Sequence, residues 1–245
     1  MKKLPVELGS LDLDRVMAGL ALLAELDDAA LESAVAGRAY IDARDRVVSE
    51  LPVDVTVKLL ARGPANQAEA LDLSCASLRF LDLRGFDRLR TLDVGRNPEL
   101  RELGWLPPLL QELVLDQSPV LKLPVLPQLT RLSAVDGHAK YVLPRSLLAL
   151  DLTRAFVTSF PTGLPKLVTL GLEGTMIRAV GNELDAMPAL TRLNLANTPL
   201  MRFYEPALVA HPALRELDVR NTPLAASGQL GRLRRVTHPL LKILG

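Results

Sequence analysis

Residues 147–154 read Leu-Leu-Ala-Leu-Asp-Leu-Thr-Arg, and this stretch holds the pattern on which most of the chain is built. Its frame is Leu-x-x-Leu-x-Leu, with an aspartate between the last two leucines. Alternating apolar and polar residues are typical of a β-strand, because successive side chains point to opposite faces. The stretch therefore predicts a short strand that buries Leu150 and Leu152 and turns Asp151 outward.

The same frame, with occasional substitutions, occurs eight times in the 245 residues. It opens at Ala68, Leu89, Leu110, Leu129, Leu147, Leu167, Leu190 and Leu214. The spacings are 21, 21, 19, 18, 20, 23 and 24 residues, close to the period of leucine-rich repeats. A repeat of this length has too little apolar surface to close a core alone, so neighbouring repeats must stack. The spacing predicts an α/β solenoid with a parallel, concave β-sheet.

The segments that return the chain to the next strand differ along the sequence. A second apolar pair follows many openings: Leu78 and Leu81, Val120 and Leu123, Val157 and Phe160, Ile177 and Val180, Leu200 and Phe203. Early returns are short and rich in proline, as in Leu-Pro-Val-Leu-Pro at 123–127, which favours extended chain. The last two returns, at 182–188 and 205–212, are long enough for a turn of helix. Short extended or helical returns should therefore form the convex side.

The residue eight positions after each opening stands where the chain turns away from the strand, and we call it the ladder position. A side-chain oxygen there can accept hydrogen bonds from backbone N–H groups. The ladder position holds Ala76, Asn97, Ser118, Gly137, Ala155, Thr175, Thr198 and Thr222. Hydroxyl groups should carry this ladder at the C-terminal end. Gly137 and Ala155 offer no such group, so backbone or water must replace it.

Three regions follow from the repeat boundaries. Residues 1–67 carry no repeat and are predicted to form a helical N-terminal cap, with helices near 16–26 and 28–37. The segment 51–61 alternates like a strand, although its flanking prolines fit a short helix, which we favour. Residues 68–224 form the repeats, and 225–245 should form a C-terminal cap.

The composition of the chain excludes several classes of function. A net charge of +1 argues against nucleic-acid binding or an anionic membrane surface. No apolar run approaches the roughly 18 residues that span a bilayer, and Glu7, Asp12 and Asp14 interrupt any secretory signal. Cys75 is the single cysteine and has no activating histidine in a matching repeat position. No histidine joins the carboxylates to form a metal site. We expect no cofactor, no metal and no enzymatic activity.

The phrases Glu-Ala-Leu-Asp-Leu-Ser at 69–74 and Leu-Pro-Val-Leu-Pro-Gln-Leu-Thr at 123–130 resemble the repeat domains of bacterial type III effectors, the IpaH and YopM families. The resemblance covers roughly residues 1–170. It implies short, proline-punctuated repeats behind a helical cap. IpaH-type proteins continue into a ubiquitin-ligase domain with a catalytic Cys-x-Asp, whereas Cys75 is followed by Ala-Ser. The resemblance therefore implies either the binding part alone or a YopM-like scaffold without catalytic activity.

The outward strand positions and their flanks define the predicted binding surface. Its polar and charged members are Asp72, Asp93, Arg96, Glu112, Asp116, Arg131, Asp151, Arg154, Glu173, Arg192, Asn194, Asp218 and Arg220. A long open face suits a protein partner better than a small metabolite, which is usually held in a closed pocket. Asp72 beside Asp93 either recognises a basic segment or is simply solvated with Arg96 nearby. Reversing Asp72, Asp93 and Asp151 should weaken partner capture without lowering stability.

The sequence thus favours a non-enzymatic protein-binding module of effector type, acting in the cytoplasm or in host cytosol after specialised secretion. A first alternative is the substrate-recognition part of a ubiquitin ligase, either IpaH-type without its catalytic domain or F-box-like through residues 51–60. A second alternative is a scaffold inside the bacterium itself.

Overall fold

A computed structural model describes residues 39–49, 53–62, 64–137, 141–237 and 239–245. The strands are β1 (Ala39–Ile41), β2 (Val47–Ser49), β3 (Ala70–Asp72), β4 (Phe80–Leu81), β5 (Thr91–Asp93), β6 (Glu102–Leu103), β7 (Glu112–Val114), β8 (Arg131–Ser133), β9 (Ala149–Asp151), β10 (Thr169–Gly171), β11 (Ala179–Val180), β12 (Arg192–Asn194), β13 (Arg202–Phe203), β14 (Glu216–Asp218) and β15 (Lys242–Leu244). The helices are α1 (Val53–Leu60), α2 (Glu205–Val209) and α3 (Gly228–Val236), with 3-10 turns at Pro64–Gln67 and Glu183–Ala186.

A nine-stranded parallel sheet forms the inner wall of a solenoid, in the order β3-β5-β7-β8-β9-β10-β12-β14-β15. The inner leucines of the repeats stand opposite one another across it. Leu150 pairs in register with Leu132 on one side and with Leu170 on the other. These three leucines are almost fully buried. The predicted leucine-rich-repeat solenoid is therefore confirmed, with each repeat forming one coil of strand and return.

The returns close the coils on the outer side as their sequences predict. Two pairs of very short parallel strands, β4 with β6 and β11 with β13, link neighbouring returns. The two longest returns hold the 3-10 turn at Glu183–Ala186 and helix α2. Pro206 lies in the first turn of α2, where a missing N–H costs no hydrogen bond. The helical turns predicted for these two returns are confirmed.

The residues before the first repeat combine a hairpin and a helix. β1 and β2 pair antiparallel, and a bridge between Arg46 and Asp72 joins this hairpin to the first strand of the large sheet. Segment 51–61 contains helix α1, as favoured, and α1 buries Val57 and Leu60 in the common core. The two helices predicted before residue 38 lie outside the described residues.

The segment predicted as a C-terminal cap holds helix α3 and strand β15. Ser227 caps α3, because its side-chain oxygen accepts a hydrogen bond from the Gln229 N–H at 3.3 Å. Leu230 and Leu233 on the inner face of α3 are buried. β15 pairs in parallel with β14, so the sheet has one strand more than the eight repeats read from the sequence.

The ladder is built differently at its two ends. Asn97 is fully buried, and its Oδ1 accepts the N–H groups of Ala76 and Leu78 at 3.0 Å each. Its Nδ2 donates to carbonyls of its own coil and the preceding one, including Leu73 at 3.0 Å. Ser118 Oγ likewise accepts the N–H of Asn97, at 3.0 Å. In this part of the chain, the predicted role of the ladder in satisfying donors is confirmed.

The threonines at the C-terminal end act mainly as donors, which differs from the prediction. Thr175, Thr198 and Thr222 each donate to the carbonyl three residues earlier, at 2.6, 2.7 and 2.7 Å. A hydroxyl on a short β-branched side chain reaches its own turn more easily than the neighbouring coil. At Gly137 and Ala155 the backbone N–H donates to the carbonyl three residues earlier, as the N–H groups of Ser118 and Thr175 also do.

A left-handed residue precedes the ladder position in every repeat. The column consists of Cys75, Arg96, Gln117, Asp136, Arg154, Gly174, Asn197 and Asn221, with φ between 54° and 67°. Only one member is glycine, although this conformation costs other residues about 1–2 kcal/mol. The first seven N–H groups of the column each donate to a carbonyl of the following coil, as Arg96 does to Asp116 at 2.7 Å. Contact with the next coil therefore holds these turns.

Candidate functional site: the concave face of the sheet

The concave face is lined by the first and third residues of each strand, because the middle residue points into the core. The nine strands lie about 4.8 Å apart, which makes the face about 38 Å long. Among the predicted site residues, the strands themselves carry Asp72, Asp93, Glu112, Arg131, Asp151, Arg192, Asn194 and Asp218. The remaining ones follow directly after strands: Arg96, Asp116, Arg154, Glu173 and Arg220.

Four of the predicted aspartates also accept hydrogen bonds from backbone N–H groups just after their strands. Oδ1 of Asp72, of Asp93 and of Asp151 accepts the N–H two residues further on, at 2.8, 2.8 and 2.9 Å. Asp218 does the same with Arg220 and also pairs with its guanidinium. Such a turn guides the chain out of the strand. A lysine would remove this acceptor, so the structure contradicts the expectation that charge reversal leaves stability unchanged.

Asp116 performs this backbone role for its neighbour. The strand that ends at Ser133 has no aspartate, and Asp116 of the preceding coil reaches across instead. Its Oδ1 accepts the N–H of Val135 at 2.9 Å and the hydroxyl of Ser133 at 2.6 Å. This predicted site residue is therefore part of the framework of the face.

The rows after the strands are tied together by side-chain bonds between coils. Arg154 donates twice to Asp136, at 2.7 and 2.9 Å. Glu173 accepts hydrogen bonds from the side-chain amides of Asn194 and Asn197, at 3.1 and 2.8 Å. These contacts hold the rim of the face in one arrangement.

Two of these carboxylates have pKa values shifted in opposite directions. Burial raises the pKa of Asp93, and the nearby charges of Asp72 and Asp116 add to the rise. The Gly95 N–H bond and, more weakly, Arg96 oppose it. By contrast, hydrogen bonds from Arg154 lower the pKa of Asp136. The like-charge repulsion at Asp93 therefore acts together with burial, and Arg96 offsets only part of it.

Replacing each carboxylate with asparagine should change stability in opposite directions at neutral pH. Between its unfolded and folded pKa values, Asp93 binds more protons when folded, so its destabilising effect grows as pH rises and is complete at pH 7. Asp93→Asn keeps the acceptor and should raise the Tm at pH 7, with the gain vanishing below about pH 3.9.

Asp136 has the opposite sign, because its lowered pKa gives stability that is present at neutral pH and lost as pH falls through the folded value. Asp136→Asn should therefore lower the Tm at pH 7, by an amount that shrinks in acid. Thermal unfolding followed by circular dichroism at several pH values measures both variants. Shifts of the same sign at pH 7 would contradict the assignment.

The middle of the face contains a depression of about 490 Å³. Its floor is made of small or short side chains on three adjacent strands: Ser133, Ala149, Asp151, Thr169 and Gly171. Arg131 stands on one side and pairs with Glu112, while Arg192 on the other side lies 3.9 Å from Glu216. Both arginines therefore have their partners on the side away from the floor.

Gly171 allows Asp151 to lie across the floor. A Cβ atom at Gly171 would come within 2.7 Å of Asp151 Oδ1. The same oxygen accepts the N–H and the hydroxyl of Thr153, at 2.9 and 2.7 Å. Among the described residues, none donates a hydrogen bond to Asp151 Oδ2 or forms a salt bridge with this carboxylate.

The depression gathers only part of the predicted site. It collects the predicted residues Glu112, Arg131, Asp151, Arg192, Asn194 and Asp218. Asp72 and Asp93 lie toward the first strand, while Arg154, Glu173 and Arg220 follow the strand ends. Sequence reasoning did not select the floor residues Ala149 and Thr169. Their signal was present as small side chains at equivalent strand positions, between two arginines.

Large exposed aromatic side chains lie away from this face. Phe80, Trp105, Phe156 and Tyr204 are all exposed, and none of the nine sheet strands contains an aromatic residue. Phe156, the most exposed of the four at 69%, follows the strand β9 by five residues. Contacts on the concave face must therefore be mainly polar.

No protein-family model and no curated protein matches this chain. Solved structures do match it. YopM from Yersinia enterocolitica WA-314 is 28% identical with a TM-score of 0.53, over 64% of this chain and 38% of its own. The Shigella effector LRR domain is 20% identical with a TM-score of 0.57, over 73% and 82%. A chain of the mouse RP105/MD-1 complex is 20% identical with a TM-score of 0.50, over 62% and 30%.

These likenesses identify the fold as a leucine-rich-repeat solenoid. The expected resemblance to the repeat domains of type III effectors is confirmed by the YopM and Shigella structures. The chain spans well under half the length of YopM. Within the described ranges, none of the helices has the length and apolar character that crossing a bilayer requires.

Proposed function

We propose that this protein is a non-enzymatic docking module that binds another protein on the concave face. The observation that supports this most directly is the face itself, a row of nine strands whose outward side chains are rigidly spaced and mostly polar. Such a surface matches the size of a protein partner rather than a metabolite. The RP105/MD-1 structure, which shares the fold, is a complex of two proteins.

We further propose that the module acts as a bacterial effector in the host cytosol. The likeness to YopM and to the Shigella effector domain supports this assignment. The polar, mixed-charge face also suits reversible capture of a folded partner, since charge complementarity governs specificity and association rate.

Charge reversal at Arg131 and Arg192 should test the docking face. Both side chains are exposed and hold no backbone group, so Arg131→Glu with Arg192→Glu should leave the unfolding free energy within about 1 kcal/mol of wild type. Capture of the partner from host lysate should change about tenfold or more, because the reversal alters the charge of the surface that meets the partner. Affinity capture followed by quantitative mass spectrometry, in parallel from host and bacterial lysates, measures the change and identifies where the partner resides.

Arg79→Glu is the matched control. Arg79 is also exposed and also pairs with a glutamate of an adjacent coil, Glu99 at 2.5 Å, but it lies in a return outside the large sheet. It should leave capture intact. If the double reversal retains its partner as well as wild type does, the concave face is not the docking surface.

A further inference from the structure

We propose that the central depression receives a lysine or arginine side chain of the protein partner, and that Asp151 pairs with it. This inference deepens the proposed docking function and rests on it. It begins from the floor of the depression, where Ala149, Thr169 and Gly171 leave space that longer side chains fill on the neighbouring strands. The volume of about 490 Å³ is ample for one long side chain and part of its backbone.

The charge at the floor determines which side chain fits. The lining contains four acidic residues, Glu112, Asp151, Glu216 and Asp218, against two basic ones, Arg131 and Arg192. Arg131 and Arg192 are paired outward with Glu112 and Glu216. Asp218 is neutralised by Arg220. Of these four carboxylates, that of Asp151 forms no salt bridge with any residue that the structure describes.

The geometry of Asp151 leaves one oxygen for a ligand. Oδ1 is held by the N–H and the hydroxyl of Thr153, which fixes the side chain in place. Oδ2 receives no hydrogen bond from the described residues. The guanidinium of Arg154, three residues further along the chain, is committed to Asp136 through two hydrogen bonds. A preorganised carboxylate with one free oxygen favours an ammonium or guanidinium donor.

The depression also sets a direction of approach. Arg131 and Arg192 stand on opposite sides of the floor, on β8 and β12, so an entering cation must pass between two arginines. Their glutamate partners lower the repulsion, and a long, flexible side chain can place its charge at Asp151 while its alkyl stem lies along Ala149. An acidic side chain would instead meet Asp151 at the floor.

A displayed library of random short peptides, selected on the whole protein, tests this inference. Selected peptides should be enriched in lysine or arginine, and replacing that residue should weaken binding about tenfold or more. Asp151→Asn keeps the Oδ1 acceptor for Thr153 and should weaken the same peptides to a similar extent. Asp82→Asn is the matched control, since Asp82 also accepts an N–H two residues on, from Arg84 at 3.1 Å, outside the large sheet.

Blocking the depression separates this inference from the docking function. Ala149→Phe should abolish peptide binding, while Ala70→Phe, at the equivalent position of β3, should not. Peptides blocked by Ala149→Phe but indifferent to Asp151→Asn, or enriched in acidic residues, would overturn the cation assignment and leave the docking face standing. Peptides indifferent to Ala149→Phe would overturn the role of the depression.

Discussion

Asn97→Ala should lower the free energy of unfolding by about 2–5 kcal/mol. Asn97 is fully buried and accepts two backbone N–H groups of the preceding coil, those of Ala76 and Leu78. Alanine leaves both donors without an acceptor in a region that excludes water, and it leaves the Leu73 carbonyl without its donor. Urea denaturation followed by circular dichroism measures the change.

Thr198→Val provides the comparison at the same ladder position of a later coil. The Thr198 hydroxyl donates to the carbonyl of Leu195, within its own turn. Valine therefore removes this one hydrogen bond and leaves no backbone N–H without its acceptor. We expect a loss of about 1 kcal/mol. Equal losses at the two positions would show that the asparagine does not join the coils as its hydrogen bonds indicate.

Leu150→Ala should cost about 2–5 kcal/mol, because it removes three side-chain carbon atoms from the middle of the core and leaves a cavity. Leu150 is 1% exposed and stands between Leu132 and Leu170. In a linear array each coil contacts only its neighbours, so a weak central coil should also let the two halves unfold separately.

The matched variant for this prediction is Leu148→Ala. Leu148 lies two residues away in the same coil but is 42% exposed, so we expect a change of no more than about 0.5 kcal/mol. Hydrogen exchange read by mass spectrometry reports each half of the solenoid separately. A single transition with an unchanged midpoint for Leu150→Ala would contradict this register of the repeats.

The repeat pattern predicted the sheet because burial leaves little freedom in register. A strand shifted by one residue would turn Leu150 outward and Asp151 into the core, so the alternation alone determines which residues pair. The spacing then placed neighbouring leucines opposite each other, as the pairing of Leu132 with Leu150 confirms. Strand β15 was less visible, because its third residue is Leu244, whereas most of the other strands of the sheet have a polar residue there.

The finer features depended on contacts that the pattern does not contain. Arg96, Gln117 and Arg154 are not residue types that favour left-handed backbone, so these members of the column have no local signal, unlike its glycine and asparagines. The pattern predicts aspartates that are free to meet a partner, because an outward position in a strand does not show that the backbone N–H two residues further on will bind the carboxylate. Asp116 reaches the coil after its own, a distance along the chain of 19 residues to Val135.

The left-handed turns have a consequence for how the chain is made. Each of the first seven donates its N–H to a carbonyl of the coil that follows it in sequence. During translation the amino end leaves the ribosome first, so a newly emerged coil lacks the acceptor that completes its turn. The hydrogen bond that completes each of these turns can therefore form only after the next repeat has been made.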